Sequence, residues 1–132
     1  MVPVVLEPDA GLLIRALRLL GWSDCEYVLF HVIELPLPTA TYRETVGYLV
    51  EDSYKKLEGL RNWLMNEGYD VVLKVVAARD VVAGILEELD RNHYSLVLLQ
   101  RKKRGRLGIL SKSTTQRLLK RLAAPVLIMP VD

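Results

Sequence analysis

Cysteine is almost missing from this chain. Cys25 is the only one among 132 residues, which excludes an internal disulfide framework and a cysteine-built zinc site. A single thiol suits a reducing compartment. Glycine and proline, at eight and six, are too scarce for a collagen-like or low-complexity chain. No long hydrophobic run exists either. The stretch from Leu12 to Leu20 is short and broken by Arg15 and Arg18, so it cannot span a bilayer. The opening MVPVVLEPDA lacks the basic start and apolar stretch of a signal peptide. A soluble, cytoplasmic protein with no membrane partner is expected.

Acids are absent from residues 96–131, where nine basic side chains stand: Arg101, Lys102, Lys103, Arg104, Arg106, Lys112, Arg117, Lys120 and Arg121. Residues 1–95 hold nine basic and fifteen acidic side chains, so the formal net charge of +2 hides a division. A basic block of this kind points to an anionic partner or to a solvated face. Aromatic residues are also absent beyond Tyr94. The run RKKRGR at 101–106 therefore has phosphate-binding charge but no platform for stacking bases. Nucleic-acid or anion binding through this loop is an alternative reading, and a nucleic-acid partner is not expected.

What the chain does contain is core. With 51% apolar and 26% charged residues, disorder is excluded, and the length suits a single domain over residues 1–132. Val2 to Glu7 reads as a short strand bounded by Pro8, with Asp9 capping a helix that Gly21 stops. Glu26 to Ile33 is nearly continuous apolar sequence, as in a parallel strand covered on both faces. After the irregular LPLPTAT, a long helix opens at Thr39 or Thr41 and ends near Gly68. Its core stripe is Val46, Val50, Leu57, Leu60 and Leu64.

Val71 to Ala77 is a third strand, and Asp80 caps a helix bearing Val81, Ile85 and Leu89. Leu96 to Leu99 forms a fourth strand. Ser113 and Gln116 make a capping box for a last helix through Leu122, and Pro125 to Met129 is a fifth strand. The alternation predicts an α/β fold with three layers: an open parallel five-stranded sheet with helices on both faces.

In such a sheet the ligand crevice lies beyond the carboxyl ends of the strands, where strand order reverses. With the first strand central, Glu7, Pro8 and Asp9 line one side and Gln100 to Lys112 the other. The helix start Ser113-Thr114-Thr115 points into the gap. Unpaired amides, hydroxyls and the positive helix end suit an anion; the same hydroxyls also serve as simple caps.

Three stretches resemble the universal stress protein family: VVLEPD…RALRLL, the strand ending FHVIE, and LVLLQRKKRGRLGILSKSTTQRLLKRLAAPVLIMP. The resemblance implies a Rossmann-like sheet ordered 3-2-1-4-5 and a homodimer through the last strand, Pro125, Val126, Leu127, Ile128 and Met129. It also implies ATP or AMP as the candidate nucleotide, and it places Val32, beside the crevice, among the binding candidates.

Nucleotide-binding members carry Gly-x-x-Gly, nine residues, then Gly-Ser or Gly-Thr. On this chain the first glycine falls on Gln100, and the second on Lys103, or on Gly105 if the loop slides. The Gly-Ser pair falls on Lys112-Ser113, and the spacer 104–111 is one residue short. Glycine permits positive φ and lets backbone amides approach phosphate. Gln100 and Lys112 put side chains where that approach is needed. Lys103 and Arg104 offer charge in place of amides, and the family's first-strand aspartate maps near Glu7 or onto Asp9.

The expected function is therefore a homodimeric, non-catalytic module of stress response or signalling with a degenerate nucleotide or phosphate crevice. ATP or AMP is the one cofactor the resemblance offers, and no metal is expected. The alternative is an ATP-binding or ATP-hydrolysing member. Glu7 and Asp9 are the only acids in place for hydrolysis and do not form a metal pair. His31 sits inside an apolar strand and His93 in a turn.

Overall fold

A computed structural model describes residues 1–35, 43–101 and 112–130. Among these residues five strands alternate with four helices: β1 (Val2–Pro3), α1 (Ala10–Leu20), β2 (Glu26–Glu34), α2 (Arg43–Asn66), β3 (Asp70–Ala78), α3 (Val81–Arg91), β4 (Val97–Arg101), α4 (Lys112–Arg121) and β5 (Val126–Pro130). All strand pairs are parallel.

Side chains alternate along each strand, and the two faces bury separate cores. Leu29, Leu73 and Leu98 join Leu13 and Leu17 of α1 and Leu57 and Leu64 of α2. On the other face Phe30, Val97 and Leu99 join Val82 and Ile85 of α3 and Leu118 of α4. Helices thus cover both faces, as the near-continuous apolar strands required. Tyr54 of α2 accepts a hydrogen bond from the Val75 amide at 3.3 Å, fastening the long helix along β3.

The order β1-β2-β3 forms one sheet and β4-β5 another, so the expected order is present on either side of a gap. Two hydrogen bonds cross it. The Met1 nitrogen donates to the Leu96 carbonyl at 2.9 Å, and the Leu98 amide donates to the Met1 carbonyl at 2.9 Å. Together they make one rung of a parallel pair. The next rung would need an N–H from residue 3, and Pro3 has none.

The first strand is also shorter than the Val2–Glu7 expected from its β-branched run. The Val4 amide still donates to the Phe30 carbonyl at 2.9 Å, but Leu6 and Glu7 turn away in a bend. Asp9 caps α1 as expected: its Oδ1 accepts from the Leu12 amide at 3.1 Å. Gly21 ends that helix in the left-handed region with φ 73°, where glycine is strain-free. At the other end of the chain, α4 begins at Lys112. Ser113 therefore lies in the first turn of that helix.

Candidate functional site

The carboxyl ends of the strands bring together some of the expected binding residues. Glu7 is exposed in the bend after β1, with Pro8 half-buried beside it. Asp9 has one carboxylate oxygen committed to the Leu12 amide. Val32 is 7% exposed, and its methyls face Gly84, where a Cβ would stand 2.7 and 2.9 Å from them. That close approach seats α3 on β2, so the Val32 side chain is core.

Gln100 is the informative position. It is 8% exposed at the end of β4, and its Nε2 donates to the Leu12 carbonyl at 3.1 Å. The bond crosses from β4 to the first turn of α1, between the two walls expected for the crevice. Ser113 is exposed and Thr114 half-buried in the first turn of α4, while Lys112 opens that helix. Lys103, Arg104 and Gly105 lie outside the described residues, as does most of the 101–106 basic run.

A second acidic pair stands at this end of the fold. Glu34 accepts from the Val81 amide at 3.2 Å. Asp80 Oδ1 accepts from the Ala83 amide at 2.8 Å, and its Oδ2 is 3.2 Å from the Arg117 guanidinium. The Ala83 amide, joined by Arg117 and Arg79, holds the Asp80 carboxyl below the usual carboxylate range despite partial burial. The positive end of α3 is therefore answered by this chain's own carboxylates. Asp80 was legible as a cap. Its link to Arg117 was not, because residues 37 positions apart share no local pattern.

At the opposite, amino ends of the strands lie features that sequence spacing did not reveal. Glu88, 5% exposed, gathers three donors on Oε2: Lys74 at 2.8 Å, Asn92 at 3.2 Å, and the Tyr94 hydroxyl. Burial and the neighbouring Glu88 carboxylate push the Tyr94 phenol above its ordinary range. A cavity of about 250 Å³ opens nearby, between the turn that follows α1 and the turn before β4. Trp22, Tyr27 and Tyr94 line it with Glu26 and His93.

The Nδ1 of His31 is 2.9 Å from the Val4 carbonyl, so this histidine has a structural partner. Among the described residues no three His, Cys, Asp or Glu side chains converge on a metal position, and no helix is long and apolar enough to cross a membrane.

Comparison with known proteins agrees with this architecture. Among solved structures the chain is similar to a universal stress protein family member from Burkholderia pseudomallei. That match has 21% identity, covers 98% of this chain and 94% of the other, and has a TM-score of 0.65. It is also similar to hypothetical protein MJ0577, a structural-genomics test case for assigning biochemical function, with 18% identity, the same coverages and a TM-score of 0.61. A search of curated proteins finds no significant match. The sequence model of the universal stress protein family, Usp, matches residues 1–130. With nearly its whole length matched and an α/β fold of parallel strands to go with it, the chain belongs to the universal stress protein family.

Proposed function

We propose that this protein is a homodimeric, non-catalytic module of stress response or signalling whose nucleotide crevice has lost its grip on triphosphate. One observation carries the reading. Gln100 stands where nucleotide-binding members have their first loop glycine, and its buried amide group is bonded across the crevice to Leu12. A side chain there takes the space a phosphate-gripping backbone needs. Two of the other expected contacts are committed as well: Asp9 to the cap of α1 and Val32 to the packing of α3.

Anion attraction remains at the start of α4, where Lys112, Ser113 and Thr114 open the helix. Weak binding of a phosphate-bearing ligand, or none, follows. Titration calorimetry with ATP, with and without magnesium, tests the proposal. Feeble or undetectable heat is expected, and Gln100→Gly is expected to strengthen binding by reopening the space. Tight, magnesium-dependent binding to the unaltered protein would overturn it.

Dimerisation is proposed through β5. Its partner in the described chain is β4 alone, and Val126, Leu127, Ile128 and Met129 remain only half-buried. An apolar edge strand is a liability unless covered, and antiparallel pairing with a second copy covers it with two-fold symmetry.

A further inference from the structure

We propose that the cavity at the amino ends of the strands binds a small aromatic amine. This does not depend on the crevice at the other end of the sheet. The cavity exists because α1 stops at Gly21 and the chain turns through Trp22 before entering β2. Trp22, Tyr94 and the largely buried Tyr27 line a volume of about 250 Å³. Both phenols are already spent: Tyr27 donates to the Trp22 carbonyl and Tyr94 to Glu88. They therefore offer rings, not free hydroxyl donors, to a guest.

Charge decides the class of guest. Glu26 lines the cavity and is exposed, and among the described residues no cation pairs with it. Asp70, outside the lining, is its neighbour in the β2–β3 register and adds negative potential on that side. The cation on that side, Lys74, is bound to Glu88 at 2.8 Å. The Met1 ammonium is held by the Leu96 carbonyl, and burial lowers it to about 6. His93 completes the rim. An ammonium group would meet Glu26, the one acid of the lining, and the aromatic faces, both favourable to a cation, whereas a carboxylate would be repelled by Glu26. The volume lies just below the range of about 300–1,000 Å³ that holds drug-sized ligands, so a single ring with a short amine arm fits the space.

Phenethylamine and phenylacetate, alike in ring but opposite in charge, serve as probes. Cys25 lines the cavity and is the only cysteine, so its rate of modification by a small methanethiosulfonate reports occupancy. Trp22 fluorescence in a Trp63→Phe background reports the same event. Phenethylamine is expected to slow modification saturably, with half-saturation on the order of a millimolar. Phenylacetate is expected to bind several-fold more weakly, and Glu26→Gln should cost the amine roughly threefold. Equal protection by both probes, preference for the acid, or no protection at concentrations well above the millimolar range would overturn the proposal. If Glu26→Gln does not fold, judged by circular dichroism, the comparison of the two probes on the unaltered protein decides.

Discussion

Two single residues carry more of this fold than their side chains suggest. Gly84 allows α3 to rest against Val32 and Ala78; an added Cβ would stand 2.7 Å from Val32 and 3.3 Å from Ala78. Gly84→Ala gains about 1 kcal/mol of helix propensity but overpacks a site where such insertions cost about 1–3 kcal/mol. Net destabilisation is expected in urea denaturation. Trimming the opposing side chain with Val32→Ala should recover part of it, because the two changes share one contact. Glu88 is the second such residue. Glu88→Gln removes the charge that faces Lys74 and Tyr94, and a loss of about 1–3 kcal/mol is expected. Ultraviolet titration supplies an independent check: with the carboxylate gone, the Tyr94 phenol should ionise at lower pH than in the unaltered protein.

At the scale of elements, the helices and strands follow from local chemistry. Asp9 and Asp80 start α1 and α3 through cap hydrogen bonds at 3.1 and 2.8 Å. Asp80→Ala should cost about 1 kcal/mol, the usual worth of such a cap. The carboxyl of Asp80 is lowered in the folded state, so the unfolded chain binds its proton first as pH falls. Its contribution is therefore present at neutral pH and is lost as pH drops through and below the ordinary aspartate range near ~4. The variant's stability should show a shallower acid decline, measured by denaturation at stepped pH. These caps, the Gly21 stop and the strand cores were all readable as short-range patterns. The last helix was readable in the same way, and it begins at Lys112, one residue before the Ser113 that the spacing marked.

At the scale of the whole molecule, β5 offers the surface that a second copy would cover. The Val97 amide donates to the Pro125 carbonyl, and Val97 lies level with Val126. By the alternation of a parallel ladder, the backbone groups of residues 125, 127 and 129 face β4, while those of Val126 and Ile128 face outward. Ile128→Pro therefore removes an outward donor and spares the bonds to β4. The unaltered protein is expected to sediment as a dimer at micromolar concentration, and Ile128→Pro as a monomer with its far-ultraviolet spectrum largely kept. A monomeric unaltered protein would refute the dimer.

The amino-acid sequence by itself determined the alternation of strands and helices, the caps at Asp9 and Asp80, and the family. Each of these rests on residue periodicity or on neighbours within a few positions. It also raised the expectation that Gln100 stands in a glycine's place. Only the tertiary structure decided what that side chain does, because its partner Leu12 lies 88 positions away. The same holds for the meeting of the chain start with β4, where Met1 bonds to Leu96 and Leu98, and for Glu88 with its donors from β3 and the turn before β4. Contacts of this kind depend on which elements the core brings together, and no local pattern encodes them.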